Sequence, residues 1–362
     1  MMSKPKFWQL FKKNKLALVA MFIIVAAVLV SIFAYMIAPD NSPNANLQTV
    51  EIQSKQMGYQ QLFLKLPLRN NISASLLSKC FWGTPLQHQY IPITSYTQKA
   101  DSVIIQKLVD VDTSITVAYH INQVKENDAD QLQQHIILKK YGLGTDAYGR
   151  DILSRLIIGT RVSLMVGIVA MFISILLGVL LGAWAGYYGG VTDKVIMWLI
   201  NVMWSIPTLL LVFALTLTLG KGFWQIFIAV GLTLWVSVAR LVRAQVMAAK
   251  ALEYVKAATT LGFSNNRIIF KHILPNIMGP ILVLAASNFA TAIIVEAGLS
   301  FLGIGVQPPQ PSWGLMIKEN YNLIITHNAL QAIIPGIAIM MLVLAINILG
   351  NALRDLLDVK DH

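Results

Sequence analysis

Ser300 has the residue type and setting closest to those of a catalytic nucleophile. It lies in the sequence Gly-Leu-Ser-Phe at the end of a long apolar run, as the serine of an intramembrane protease would. Such a serine needs a histidine to accept its proton. All six histidines lie outside the apolar runs: His88, His120, His135, His272, His327 and His362. We therefore predict no catalytic residue, and expect Ser300 to be a small residue that permits close helix packing.

No motif predicts a bound metal or nucleotide. The single cysteine, Cys80, excludes an intrachain disulfide and a cysteine-based metal cluster. Four aspartates lack the spacing and the glycine of a calcium loop: Asp110, Asp112, Asp128 and Asp130. The chain has no Gly-x-x-x-x-Gly-Lys-Ser/Thr phosphate loop, and its glycine-rich residues 142–147 lead into an apolar run instead of a βαβ unit. We predict no cofactor on this chain.

The composition predicts a membrane protein. Hydrophobic residues make up 56% of the 362 residues and charged residues only 12%, against about 25% charged in an average soluble domain. A bilayer-spanning helix needs about 20 apolar residues. Six runs qualify as spans: residues 16–38, 162–185, 195–219 (with Pro207, which should kink it), 223–239, 277–295 and 330–352. The predicted fold is an all-α membrane protein of six transmembrane helices, with a strand-containing insertion between the first two.

The basic residues predict an orientation. Net charge is +11, and one cluster precedes the first span, while six Lys or Arg lie between Arg240 and Lys271. Basic residues that flank spans indicate the cytoplasmic side, which explains the charge better than nucleic-acid binding does. We predict a cytoplasmic N-terminus with the first span (1–38), a core of five spans (160–352) with a cytoplasmic loop at 240–275, and a cytoplasmic tail (353–362).

The remaining segment, residues 39–159, should be a periplasmic insertion. Residues 88–96, 102–108 and 114–121 are rich in β-branched and aromatic residues and predict strands, with an acidic loop at 126–130. Three arginines at its end count against the orientation, although long translocated segments escape the rule: Arg150, Arg155 and Arg161.

Residues 251–276, ALEYVKAATTLGFSNNRIIFKHILPN, form a polar, basic segment between spans. Good helix formers end at Gly262, which should stop the helix in a left-handed conformation. Ala257 and Ala258 are small and would let another protein approach closely. Pro275 should begin the next helix, where its missing N–H costs least. An amphipathic helix lying on lipid would explain the basic residues but not this stop and restart.

Glu296 is the acid at the outer end of the fifth span. It could be an interfacial acid that faces headgroups, or it could line a pathway or a subunit seam, and its sequence context leaves both open. Ser300 and Asn347 are further candidates for such a pathway or seam.

Residues 251–276 resemble the coupling loop of binding-protein-dependent ABC transporter permeases. That loop has the pattern Glu-Ala-Ala, three residues, Gly, and a later Leu-Pro, found here as Lys256-Ala257-Ala258, Gly262 and Leu274-Pro275, with Lys256 in place of the glutamate. Other stretches resemble the second permease subunit of dipeptide, oligopeptide and nickel importers: residues 143–164, 185–193, 296–314 and 349–358.

The resemblance implies a permease subunit of the bacterial inner membrane that carries out no covalent chemistry. It implies a sister permease, two cytoplasmic ATPases that bind the ATP, and an external substrate-binding protein. The expected ATPase contacts are Glu253, Lys256, Ala257, Ala258, Gly262, Leu274 and Pro275. Peptides and nickel chelates remain open as substrates. The alternative of a receptor with an outer sensing domain would require a cytoplasmic signalling domain, and the predicted tail has only about ten residues.

Overall fold

The computed structural model describes residues 11–68, 75–99, 101–110, 113–124, 132–220, 222–325 and 329–358. Several sequence-based predictions fall outside these residues, namely the loop at 126–130, three of the four aspartates, two histidines, the first lysines and the end of the tail. Within the described residues the main helices are α1 Lys15–Ile32, α2 Leu76–Trp82, α3 Ile152–Tyr188, α4 Gly190–Trp204, α5 Thr208–Leu219, α6 Phe223–Lys250, α7 Glu253–Thr260, α8 Met278–Phe301, α9 Trp313–Glu319 and α10 Ala329–Asp358.

The chain divides into two compact units. The first unit comprises the chain up to Val28, Val162–Gln307 and the chain from Ile337 onward. The second unit comprises Leu29–Arg161 and Pro308–Gly336. Each unit has its own buried apolar clusters.

The structure is mostly helical, as predicted. Among the described residues, α1, α3, α6, α8 and α10 are long and apolar enough to cross a bilayer, and the pair α4 and α5 would make a sixth span. The third predicted span is not one kinked helix, because α4 and α5 meet at 95°. Pro207 precedes α5 with φ −54° and ψ 130°. Proline cannot continue a helical hydrogen-bond ladder and favours extended backbone before it, so the chain turns sharply here.

Two helices run well past the apolar stretches that predicted them. Helix α3 begins at Ile152, before the predicted start at residue 162, and α6 continues to Lys250 instead of ending near residue 239. The extra residues of α6, RLVRAQVMAAK, are mostly strong helix formers. The first part of the predicted loop at 240–275 is therefore helical.

The second unit contains a five-stranded antiparallel sheet with the order β4-β3-β2-β1-β5. Its strands are β1 Tyr59–Pro67, β2 His88–Lys99, β3 Ser102–Asp110, β4 Thr113–His120 and β5 Ile136–Tyr141. The three predicted strands are confirmed as β2, β3 and β4, while β1 and β5 were missed. Leu64 of β1 pairs with Ile91 of β2, and both lie in the buried face of the sheet.

Candidate functional site

Helix α7 ends in the left-handed glycine that the sequence predicts. Gly262 has φ +75°, and its N–H donates to the carbonyl of Thr259 at 3.0 Å. The N–H of Phe263 donates to the carbonyl of Ala258 at 3.2 Å, which completes a Schellman motif. A Cβ at Gly262 would meet nothing within 4 Å, so backbone conformation alone favours glycine here.

The two faces of α7 differ in exposure. Val255 and Ala258 are buried, at 2% and 5% exposure, in a core that includes Val246 and Ile268. The other face carries Glu253, Lys256 and Ala257, all exposed, together with two exposed apolar side chains: Tyr254 at 39% and Leu261 at 73%. Of the two alanines expected to face a partner, Ala257 is exposed and Ala258 is covered by the core of its own chain, and the contact itself stays a prediction.

The chain after Gly262 is an irregular helix. A π-helical turn, Ile268–Ile273, is followed by a 3-10 turn, Leu274–Asn276, before α8 begins. Leu274 is buried at 8% exposure and Pro275 is exposed in the first turn of the 3-10 segment, where its missing N–H costs little. π-Helical turns often occur at functional positions.

Polar contacts fix this segment to the junction of α3 and α4. The Tyr187 hydroxyl donates to Oδ1 of Asn265 at 3.1 Å, and Nζ of Lys250 donates to the carbonyl of Tyr187 at 2.6 Å. Arg243 of α6 makes a two-pronged ion pair with Asp193 of α4, with Nη2 to Oδ2 at 2.6 Å. The first bond joins the segment to the end of α3, and the other two contacts join α6 to α3 and to α4.

Glu296 and Ser300 form one buried unit at the end of α8. Both have 0% exposure. The Ser300 hydroxyl donates to Oε1 of Glu296 at 2.6 Å and accepts from the Val306 N–H at 3.0 Å. A Cβ at Gly305 would overlap Ser300, so the loop can fold back on the helix end only with glycine there. Both side chains are enclosed within this chain, and a role in a pathway or at a subunit seam stays a prediction.

Asn347, the third candidate, lines an open cavity of about 830 Å³ in the first unit. The cavity lies between α6, α8 and α10, and Trp204 at the end of α4 completes its wall. Its polar lining includes Arg240, Gln245, Asn351 and Arg354.

Residues 178–360 match the family model described as "Binding-protein-dependent transport system inner membrane component". Residues 6–50 match the "N-terminal TM domain of oligopeptide transport permease C". The first match covers half of the chain. This chain belongs to that permease family. It is a non-catalytic permease subunit of an ABC transporter, and this membership decides against the protease and the receptor.

Curated relatives of this permease show the same class. The oligopeptide transport system permease protein OppC of Bacillus subtilis is 41% identical over 222 residues, 61% of this chain and 72% of the relative. The dipeptide permease DppC of the same organism is 42% identical over 217 residues, 60% of this chain and 68% of the relative. The glutathione permease GsiD of Pectobacterium atrosepticum is 41% identical over 219 residues, 60% of this chain and 72% of the relative.

Among solved structures, an inward-facing form of the MetNI methionine ABC transporter is similar to this permease. It has a TM-score of 0.45 and 18% identity, covering 57% of this chain and 97% of that chain.

The second unit of the permease holds a buried ion cluster that the sequence interpretation missed. Nε of Arg150 lies 2.7 Å from Oδ2 of Asp146, and Glu319 Oε2 accepts from Arg150 at 2.8 Å and from Arg155 at 2.9 Å. The two arginine side chains are only 2% and 1% exposed. Both arginines lie in the motif at residues 143–164, which the sequence analysis identified. Their partner Glu319 lies far away along the chain, so the pairing could not be predicted.

Arg161 hydrogen-bonds to carbonyls at the ends of two helices in the same unit. Its guanidinium donates to the carbonyls of Ser31 and Ile32, at 3.0 and 3.1 Å, and to the carbonyl of Phe81 at 2.8 Å. The last carbonyls of a helix have no partner within the helix and carry its negative dipole end. Arg161 satisfies such carbonyls of both α1 and α2.

A cavity of about 130 Å³ in the second unit gathers several titratable groups. Burial raises the pKa of Asp151, although hydrogen bonds from the hydroxyl and N–H of Ser154 oppose that shift. Burial lowers the pKa of Lys139, opposed by the charges of Asp40 and Asp151. Burial also raises the pKa of Tyr141. These shifts have structural causes and indicate no catalytic role.

Proposed function

We propose that this permease imports peptides as one of two membrane subunits of its transporter. The relatives that it matches are named for oligopeptides, dipeptides and glutathione. All three are amide-linked solutes with free carboxylates, and this shared chemistry favours peptides over the nickel chelates that the sequence left open. Assay of the ligands that bind to the cognate binding protein tests the substrate class, and exclusive binding of a nickel chelate would refute it.

The proposed assembly contains this chain, a sister permease, two cytoplasmic ATPases and an external binding protein. The family description itself names dependence on a binding protein. In the proposed orientation both termini and α7 are cytoplasmic, α4 and α5 form one broken span, and the sheet-containing segment is periplasmic. There it would help to seat the binding protein. Cys80 is the single thiol, so a membrane-impermeant maleimide should label it in spheroplasts once the outer segment is unfolded, and labelling only after permeabilisation would reverse the orientation.

The observation that carries the coupling role is the outward face of α7. Tyr254 and Leu261 expose apolar surface on a short polar helix, and Ala257 leaves space between them for a close approach. The same helix is fixed at its inner face by Val255 and Ala258. An ATPase bound to this face could therefore pull the helix without unfolding it.

The polar contacts of the segment define where such a movement would go. Tyr187, Lys250 and Asn265 join it to the end of α3, and the ion pair of Arg243 and Asp193 joins α6 to α4. Closure of the ATPase dimer would thus shift several spans as a group, which is the rigid-body route to alternating access.

Gly262→Val tests the coupling role. A side chain in the left-handed region costs about 1–2 kcal/mol, and the distortion would fall on the end of α7. We expect peptide uptake, and the stimulation of ATP hydrolysis by the loaded binding protein, to fall strongly.

Gly58→Val is the matched control. Gly58 has φ +77° and open space around it, like Gly262, but lies before β1 in the other unit. Both variants should insert into the membrane and lose similar stability. Equal uptake by the two variants would show that α7 is not the transmission element.

A further inference from the structure

The 830 Å³ cavity of the first unit has a cationic lining. Among the described residues that line it, the charged side chains are Arg240 and Arg354, and amides come from Gln245, Asn347 and Asn351. The rest of the wall is mostly apolar. Pockets that bind small molecules are typically about 300–1,000 Å³, mostly apolar, with few polar groups that fix orientation. This lining would favour a small anionic ligand with amide groups.

Arg240 is held in place before any ligand arrives. Its guanidinium carbon lies 3.5 Å from the centre of the Trp204 ring, and Nη2 donates to Oδ1 of Asn201 at 3.3 Å. Its Nε is buried and has no hydrogen-bond partner. The Arg240 side chain is half-buried and lines the cavity, and a stacked guanidinium so placed can bind a carboxylate with good geometry and little loss of side-chain freedom.

We propose that this cavity binds the free C-terminal carboxylate of a peptide through Arg240 and Arg354. The amides of Gln245 and Asn347 would bind the peptide backbone, and the apolar wall would accept its side chains. The identity of the ligand rests on the proposed function, whereas the anion chemistry rests on the cavity. The cavity lies on the parts of α6 and α8 nearest to α7, so in the proposed orientation it is at the exit side of the pathway.

The test places a reporter thiol in the cavity. Ser287 lines it and is exposed, and Ser287→Cys in a Cys80→Ser background gives this chain one reactive thiol. The full complex, with sister permease and ATPases, is placed in nanodiscs of neutral lipid. The rate of maleimide labelling on this chain is followed by mass spectrometry, with trialanine or trialanine amide present.

Trialanine should slow the labelling. The amide has the same size without the carboxylate, and should protect about tenfold less well, as expected for loss of a charged hydrogen bond. Arg240→Gln should reduce the protection by trialanine to that of the amide. Lys194→Gln, an exposed residue of α4 outside the cavity lining, should leave it unchanged. Equal protection by acid and amide, or no protection, would overturn the proposal.

Two further arms separate the alternatives. In the first arm, the nanodiscs contain phosphatidylglycerol. If this lipid slows labelling without peptide and trialanine then has no further effect, the arginines bind a lipid phosphate instead. In the second arm, labelling of the isolated chain but not of the complex would show that the sister subunit covers the cavity. Uptake of peptides by the same complex in proteoliposomes is measured in parallel. Uptake without protection refutes only this inference, and absence of all peptide uptake refutes the proposed function.

Discussion

The segment proposed to contact the ATPase, residues 251–276, and the ion cluster of the second unit place the same residue types in opposite settings. In the segment from Glu253 to Pro275, Lys256 and Arg267 are exposed and apolar side chains point outward beside them. In the cluster, Arg150 and Arg155 are almost fully buried against carboxylates. Basic residues next to a span can therefore provide a surface for other molecules or hold their own chain together. Only burial distinguishes the two.

This difference bears on the three arginines that counted against the predicted orientation. Arg150 and Arg155 are bonded to Asp146 and Glu319, and Arg161 is bonded to backbone carbonyls. All three have a structural reason to be where they are, whichever side of the membrane they occupy. They are weak evidence about orientation for that reason.

The largest effect should follow from breaking the buried cluster. Arg155→Gln leaves Glu319 with one partner fewer in a buried site, and loss of one partner of a buried ion pair typically costs about 3–5 kcal/mol. We expect a clear fall in the unfolding midpoint of the purified permease in detergent.

Lys107→Gln is the control for this variant. Lys107 lies 3.8 Å from Glu51 in a pair whose side chains are 35% and 26% exposed, so its loss should cost about 0–1 kcal/mol. The double variant Arg155→Gln with Glu319→Gln should lose less than the sum of its single variants. Equal midpoints for the two single variants would show that the buried cluster does not stabilise the fold.

The two alanines of α7 give an intermediate effect that separates stability from coupling. Ala258→Trp should overpack the core and cost about 1–3 kcal/mol, lowering yield and the unfolding midpoint. Ala257→Trp lies on the exposed face, so its stability should stay within about 0.5 kcal/mol of the wild type, while ATPase subunits co-purify less. The reverse pattern would mean that the assignment of the two faces is wrong.

Lys256→Glu should have the smallest effect. The substitution restores the glutamate of the family pattern at an exposed position, where single ion pairs contribute about 0–1 kcal/mol. Stimulated ATP hydrolysis should change little. Lys194→Glu makes the same change of charge at an exposed position of α4 and serves as the control. A severe loss of coupling specific to Lys256→Glu would show that Lys256 forms a required ion pair with the ATPase.

The apolar runs of the sequence located the helices that are long and apolar enough to span a bilayer, because bilayer thickness sets the length of such runs. The helix ends could not be located in this way. A charged side chain interrupts an apolar run without ending a helix. Arg155 lies within α3, where its charge is neutralised by Glu319, 164 residues away along the chain. The break before α5 was predicted as a kink, since proline indicates a disruption but not its angle.

The sheet was partly predictable for a similar reason. Strands β2 to β4 carry alternating and β-branched residues, whereas β5 contains Lys139, whose Nζ lies 3.6 Å from the centre of the Tyr90 ring. A lysine that packs on an aromatic ring appears polar in the sequence. Strand β1 lies between β2 and β5 and has three adjacent apolar residues, Leu62, Phe63 and Leu64, which hide the alternation.

For the candidate site, local features were predictable and long-range ones were not. The stop at Gly262 depends on the backbone of one residue and its neighbours. The burial of Ala258 depends on Ile268 and other residues that fold back over α7. Glu296 and Ser300 have the i, i+4 spacing of a helical pair, but their burial also requires the return of the loop at Val306.

Arg161 has a consequence for the order in which the permease is made. Its guanidinium closes the end of α1, yet Ser31 and Arg161 are 130 residues apart along the chain. At a synthesis rate of about 5–20 residues per second, an interval on the order of ten seconds separates the two on the ribosome. During that time the nascent first helix has open carbonyls at its end, and water, lipid headgroups or the insertion machinery must satisfy them until α3 arrives.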